Sequence, residues 1–467
     1  MKTSKKILFA VTNIAFLIRQ LNWAKAIEQE GRWESVIYST ISEVDFKKIC
    51  EEKRICLTSK IIYSSAPKNK GILWLLNSII YNLSKINYTG LISFPFITFR
   101  HFLKLRSEIS ASRRVIREND ISIMMLPDSS PAYSAPVLAN AARKENVTIL
   151  TNPLDRDSPN GYAMIYKTDE TLRADRSVGW LVGKLYPKWL IEYTGIKMLR
   201  IPPAEIVAHE FLGIASPKPW NTFGFLEDIV IVGNNIQKSF YARTGVKEEN
   251  ICVIGAPEQD SIFSLIRNYH KYEREILSEF AFATSKPIIL CALPQTHWVS
   301  GRPEAEFQNH NEMIDVWMES LSTQNNYNII VSLHPSMPIE QFKYLEASNI
   351  KIANTDIVNF MPICSIFVAC LSSTIHLAIA LGKPVINYDV YRYSLEIEAY
   401  LFKEAGGTIT VHNRTDFESV MKKITTDNKY CQCLTEKQES IASQWGIIDG
   451  QAIKRLTSFL DSTLLKN

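Results

Sequence analysis

Two patterns alternate along this chain. Short apolar runs read as buried strands, and longer stretches with apolar residues every three to four positions read as amphipathic helices. "KILFAVTN" is such a strand, "AFLIRQLNWAKAIEQEG" a helix stopped at Gly31, and "WESVIYST" a second strand. "SRRVIREND" (helix), "ISIMMLPD" (strand), "PAYSAPVLANAARKEN" (helix) and "VTILTN" (strand) follow. After a long helical and irregular stretch the alternation restarts with "EDIVIVGNN", "IQKSFYARTG" and "ICVIGAP". It continues through "KPIILCALP", "QNHNEMIDVWMESLSTQ", "YNIIVSLHP", "IEQFKYLEAS", "NIKIAN", "IVNFMPIC" and "SIFVAC". Alternation of this kind specifies parallel sheets with helices on both faces. The restart predicts an α/β protein of two doubly wound domains. Residues 1–224 would form the first, 225–440 the second, and 441–467 a closing helix that crosses back to the first. In such sheets ligands sit at the carboxyl ends of strands.

The stretch 71–106 departs from the pattern. It is rich in aromatic and aliphatic residues, broken by basic ones, and has no uncharged run of the roughly 18 residues a membrane span needs. Two readings stand: a pair of core helices, which we favour, or an interfacial amphipathic patch that reaches a lipid-linked acceptor. The N-terminal "MKTSKKILFAVTN" has basic residues before an apolar run, as a signal peptide would, but the run ends at Thr12-Asn13 and reads as a first strand.

Composition changes little. The 467 residues suit two domains, and a net charge of +4 without a concentrated basic face does not point to nucleic acid. The eight cysteines repeat no zinc-ligand spacing, and several sit in apolar strands. Reduced, mostly buried thiols and a cytoplasmic protein are expected, peripheral at the inner membrane face if 71–106 is interfacial.

Candidate chemistry gathers in the second half. His334-Pro335 follows a strand, and Pro335 stops further pairing. A histidine there can donate to a phosphate or to a leaving oxygen. In "CLSSTIHLAIALGKPVINYD" a strand ends and Ser372, Ser373 and Thr374 precede a short helix, expected over 374–381. One hydroxyl would be enough to cap it. Three hydroxyls, free N–H groups and the accompanying His-Pro favour a phosphate instead. Gln295 and Thr296 in "ALPQTHW" follow the first inner strand and suit nucleotide contact or a plain turn equally. Gly255 and Pro257 serve turn geometry. His209-Glu210 reads as a surface pair on a helix begun by Pro203.

"LHPSMP" followed by "IVNFMPICSIFVACLSSTIHLAIALGKPVINYD" resembles the donor half of GT-B glycosyltransferases and their relatives. Those relatives include nonhydrolysing UDP-N-acetylglucosamine 2-epimerases, CDP-glycerol glycerophosphotransferases, and bacterial CMP-sugar transferases of the sialyl and Kdo type. The resemblance implies two facing Rossmann-like domains with an interdomain cleft, and a sugar moved from a nucleotide-activated donor to a bacterial surface polysaccharide or lipid-linked glycan. It implies that Ser372, Ser373 and Thr374 hold the donor phosphate, that His334 and Pro335 assist, and that Asp389 and Tyr388 lie near the donor sugar. "ISIMMLPDSSPAYSAPVLANAARKENVTILTNPLDRD" is similar to the first domain's acidic turn. That makes Asp128, Asp155 and Asp157 the candidate bases, with Asn13 against the acceptor. Hydroxyl and helix-end donors would replace a cation, so no metal and no cofactor is expected. The chain departs from the epimerase pattern: Ser373-Thr374 and then His376-Leu377 replace a Gly-Gly pair and an acidic pair, and only His297 remains of a His-Arg-Arg-Glu-Asn phrase. The departure favours a CMP-linked acidic sugar over an epimerase. A noncatalytic nucleotide-sugar-binding protein is the remaining alternative.

Overall fold

Among the described residues, fifteen strands form where β-branched and aliphatic residues cluster, and most are buried on both faces, as parallel sheets covered by helices require. The computed structural model describes residues 5–466 apart from 53–57, 65–69, 85–90, 133, 153–158, 222–225, 295–305, 308, 335–336, 354, 396–401 and 403–404. Two compact units result. The first comprises Met1–Val232, Gln237–Ile254 and Ile453–Asn467, and the second Gly233–Ile236 and Gly255–Ala452.

The first unit contains β1 (Lys6–Val11), β2 (Glu34–Ser39), β3 (Lys60–Tyr63), β4 (Ile123–Leu126), β5 (Thr148–Thr151), β6 (Leu190–Tyr193), β7 (Ile196–Leu199), β8 (Ile229–Val232) and β9 (Ile251–Val253). Seven of these make a parallel sheet in the order β3-β2-β1-β4-β5-β8-β9, and β6 and β7 make a separate antiparallel ribbon. One face of the sheet packs Phe9, Trp23, Trp33 and Phe46 with Leu456 and Leu460 of the closing helix Ala452–Lys466. The other face packs Leu8, Met124, Leu138 and Ile149. Gly31 ends the first helix with φ +83°, a left-handed stop that glycine adopts without strain.

The second unit contains β10 (Ile288–Ala292), β11 (Asn328–Ser332), β12 (Ile350–Ala353), β13 (Ile366–Ala369), β14 (Val385–Tyr388) and β15 (Thr408–Val411), all parallel, in the order β12-β11-β10-β13-β14-β15. Its first four chain elements thus pair outward on both sides of β10. The first sheet does the same about β1. Each sheet therefore has one switch point, between β1 and β4 in the first and between β10 and β13 in the second, where the crevice outside the strand ends opens.

Several expectations change. β8 and β9 extend the first sheet, so the boundary expected at 224/225 moves to the segment 233–255. Edge pairing with β5 decided this, and an apolar strand carries no mark of which sheet it joins. "IEQFKYLEAS" and "IVNFMPIC" are not α-helices; each forms two 3₁₀ turns (Ile339–Gln341 and Lys343–Leu345; Ile357–Asn359 and Met361–Ile363). In the "irregular" stretch the ribbon β6–β7 turns at Thr194-Gly195, both at positive φ (49° and 77°), a pattern typical of two-residue hairpins. His209 is buried, not a surface residue. Burial also drives its imidazole pKa down to about 4. Of the described cysteines, Cys291 and Cys364 are buried, Cys433 is exposed and the others are half-buried, so the thiols are less enclosed than expected.

Candidate functional site

In the second unit β13 delivers the chain to its switch point. Leu371 turns there with φ +48°, a strained value for a side chain with a Cβ. Its N–H donates to Asn387 Oδ1 at 2.9 Å, and Asn387 Nδ2 donates to Thr410 Oγ1 at 3.3 Å. A wholly buried asparagine on β14 thus pins the loop to β15. Beyond it Ser372 Oγ and Thr374 Oγ1 share a hydrogen bond of 2.7 Å, and the Thr374 N–H donates to Ser372 Oγ at 3.3 Å. Ser373 is exposed. Among the described residues, the N–H groups of Ser372 and Ser373 donate to nothing. The helix that follows is shorter than expected, Ile375–Ala380, and Thr374 makes no side-chain cap. The capping role is taken by a Ser372 turn, which leaves the Ser373 hydroxyl and two amides unengaged among the described residues.

His334 follows β11, half-buried, and its carbonyl accepts the Met337 N–H at 2.8 Å. β11 and β13 flank β10, so the His334 and Ser372 loops stand on either side of the point where the chain leaves β10 at Leu293-Pro294. Gln295, Thr296, His297 and Pro335 lie outside the described residues, as do Asp155 and Asp157. His376 is wedged edge-on between Trp445 (centroids 5.3 Å apart) and Phe402 (5.6 Å). Its apolar neighbours explain why an aromatic base stands at this position in place of an acid.

Asp389 follows β14. It is wholly buried, and its carboxylate accepts the N–H groups of Tyr393 (3.1 Å) and Ser394 (2.7 Å) and the Ser394 hydroxyl (2.6 Å). It anchors the turn after β14. Because the Ser394 hydroxyl proton goes to Asp389, Ser394 Oγ accepts from His412 Nε2, 2.8 Å away. His412 follows β15 at the same carboxyl edge, and "VHNRTD" held no spacing that would have singled it out. Tyr388 is engaged as well: its hydroxyl donates to Glu306 at 2.5 Å, and its ring stacks on Trp317 and Phe417.

In the first unit the switch point is lined by polar groups. Asp128 follows β4, 1 % exposed, with Oδ1 accepting the Ser130 N–H at 3.3 Å. Burial raises its pKa from the ordinary 3.8 to about 7, against the lowering pull of the Ser130 N–H and Arg200. Beside it, Gln20 Nε2 donates to Asn152 Oδ1 at 3.0 Å after β5. Thr12 Oγ1, Gln20 Oε1, Thr151 Oγ1 and Asn152 Nδ2 are buried without a hydrogen-bond partner among the described residues. Such atoms are costly to leave unmet, and here they gather at the ends of β1 and β5. Asn13 lies between β1 and the helix Ile14–Glu30, its carbonyl accepting the Phe16 N–H at 3.2 Å. Arg200, one residue past β7, was not anticipated: "IKMLRIPP" carries two cations, Lys197 and Arg200, and nothing in it singles out the second. Among the described residues, no cluster of three His, Cys, Asp or Glu side chains has metal-ligand geometry.

No family model matches the chain, and no curated protein matches it. Solved structures do. The S. aureus MnaA–UDP complex is 15 % identical over 98 % of this chain and 97 % of its own, with a TM-score of 0.51. UDP-GlcNAc 2-epimerase from Neisseria meningitidis bound to UDP-GlcNAc is 13 % identical over 99 % and 100 %, TM-score 0.52. The wall teichoic acid polymerase TagF is 11 % identical over 99 % and 90 %, TM-score 0.53. At these identities the likeness is one of fold, and it runs the whole length of the chain: this protein has the GT-B fold, as the sequence resemblance implied.

Proposed function

We propose that this protein is a nucleotide-sugar-dependent enzyme, and specifically a glycosyltransferase that uses a CMP-linked acidic sugar to extend a bacterial surface glycan or lipid-linked precursor. One observation carries the reading. The loop 371–374 stands at the switch point of the second sheet with two N–H groups and the Ser373 hydroxyl unengaged, and the strained Leu371 holds it there. N–H groups with no partner at a switch point suit a phosphate. In this reading His334, two strands away across the sheet, donates to the departing nucleotide.

In the first unit Asp128 is the base that takes the acceptor proton, because a carboxyl titrating near 7 suits that task at neutral pH. Asn13 faces the acceptor. Asp155 and Asp157 are further candidates from the sequence, as Gln295, Thr296 and Pro335 are for donor contact. No metal is needed in this account, since N–H and hydroxyl donors meet the charge of the leaving group. The 2-epimerase reading is favoured by two of the similar structures and opposed by His376, whose ring contacts Trp445 and Phe402 where the epimerase pattern has an acid.

Apolar side chains on the first unit support a membrane contact. Leu91, Ile92, Phe96 and Phe99 are exposed at the start of the helix Phe94–Glu118, and Trp180, Leu185 and Phe211 are exposed on the helices Ser177–Leu185 and Pro203–Leu212. Lys104 and Lys184 are exposed among them. The favoured reading of 71–106 as core helices therefore holds only for inward residues such as Leu76 and Ser93. Peripheral attachment at the inner membrane face would bring the enzyme to a lipid-linked acceptor.

A thermal-shift panel of CMP, CDP, UDP, GDP and their sugar conjugates tests the donor class, because a ligand of the folded state raises its melting temperature. The reading predicts the largest rise with cytidine nucleotides. A rise with UDP-N-acetylglucosamine alone would favour the epimerase.

A further inference from the structure

Arg200 is the one cation in the described molecule that stands out as deeply buried. It is 3 % exposed, and a guanidinium stays charged at any ordinary pH. Buried charges are normally paired, because the desolvation of an unpaired one costs several kcal/mol, roughly. Arg200 has no carboxylate within ion-pair distance among the described residues. The nearby carboxyl, Asp128, is itself half neutral at pH 7 and is engaged with the Ser130 N–H. One nitrogen is satisfied: Nη2 donates to Ser130 Oγ at 3.2 Å. Nε and Nη1 are buried and have no hydrogen-bond partner among the described residues.

The walls around this group are aromatic. The guanidinium carbon lies 4.1 Å from the ring centroid of Tyr162, 5.3 Å from that of Tyr166 and 5.8 Å from that of Trp220. The rings are themselves supported. Tyr162 and Trp220 pack with Ala163 and Met198, and Trp220 Nε1 donates to the Trp189 carbonyl at 2.8 Å. That same carbonyl accepts the Arg200 N–H at 3.2 Å, so the backbone of Arg200 is fixed to the ribbon. Stacking accounts for the faces of the guanidinium. It leaves the in-plane hydrogens of Nε and Nη1, which point to different sides of the guanidinium, so each can meet an oxygen of an anion singly.

We propose that Arg200 anchors an oxyanion site in the first unit, taking a phosphate or carboxylate group of a ligand through Nε or Nη1 while Tyr162, Tyr166 and Trp220 exclude water from it. The site is independent of the donor reading for the second unit. It stands or falls without any nucleotide binding there. An anion in this position would neutralise the unpaired charge and satisfy an idle donor.

The test uses the full chain and three probes at constant ionic strength: inorganic phosphate, glycerol 3-phosphate and glucuronate, with chloride as control. A buried Nε–H gives its own signal in ¹H–¹⁵N spectra. The expected result is one arginine Nε–H resonance that moves saturably with an oxyanion, is absent from Arg200→Lys, and moves equally in the presence of saturating CMP. A response to both phosphates would assign the ligand group as a phosphate, and a response to glucuronate alone as a carboxylate. Arg200→Lys should bind the responding probe about tenfold more weakly. If Arg200→Lys does not fold, Tyr162→Leu, which removes the closest ring, should weaken binding several-fold. No saturable shift with any probe, or affinity unchanged in the folded variants, would overturn the proposal.

Discussion

Asp128 and Arg200 show how one buried loop sets the charge of its neighbours. In the unfolded chain the Asp128 carboxyl titrates near 3.8, and in the folded protein near 7. Between these values the folded state holds a proton that the unfolded state has lost. Stability therefore falls as pH rises from about 4 to about 7, by of the order of 4 kcal/mol for this group alone, and is flat above. Asp128→Asn should abolish that slope: melting temperatures compared at pH 5 and pH 8 should show a smaller fall for the variant than for the native chain. The same variant should lose transfer activity by about a hundredfold or more, the usual contribution of a general base. Native activity should rise with pH through 7 as the carboxyl ionises. Full activity in Asp128→Asn would remove this residue from the reaction. At this scale the sequence was partly legible. An acid after an apolar strand marked Asp128, and a run of hydroxyls marked Ser373. Asp389 carried the same mark and proved to be the anchor of its own turn, because a strand-end carboxylate can point back at the backbone as readily as outward. Arg200 could not be found in this way, since its importance depends on rings from residues 162, 166 and 220 that only the fold assembles.

At the scale of elements, the loop 371–374 is held from behind. Asn387 fills a buried position between β13 and β15, receiving the Leu371 N–H and giving its own amide hydrogen to Thr410. Asn387→Ala would leave a buried N–H and a hydroxyl unmet, at a cost of about 1–3 kcal/mol, and would release the left-handed turn. It should lower both thermal stability and nucleotide affinity, although Asn387 touches no ligand in this account. Unchanged CMP affinity in a measurably destabilised Asn387→Ala would show that the turn does not set the site. Most strands were legible in the chain because their apolar runs are unbroken. Their partners were not. β8 and β9 look like the opening strands of a second domain and yet close the first sheet, because edge pairing is decided by the crossovers that precede it. The ribbon β6–β7 carried a Thr-Gly turn signal at residues 194 and 195.

At the scale of the molecule, two sheets with the same strand order place their polar loops at corresponding switch points. The acceptor-side and donor-side chemistry of the proposal divides between the two units accordingly. The exposed apolar side chains fall largely on the helices of the first unit, and no described helix is long and apolar enough to cross a membrane. Co-sedimentation with anionic liposomes should therefore recover the protein, and Phe96→Ser with Trp180→Ser should reduce recovery without changing the melting temperature. Absence of binding by the native protein would leave those side chains without a membrane role. The central claim, that the second unit grips a donor phosphate on the loop after β13, is tested most directly by calorimetric titration of CMP into the native chain and into Ser373→Ala with Thr374→Ala. The account predicts saturable one-to-one binding to the native protein, weakened about tenfold in the variant, whose fold stays intact. Equal affinity in the two proteins, or no binding of CMP, CDP or UDP by the native chain, would contradict it.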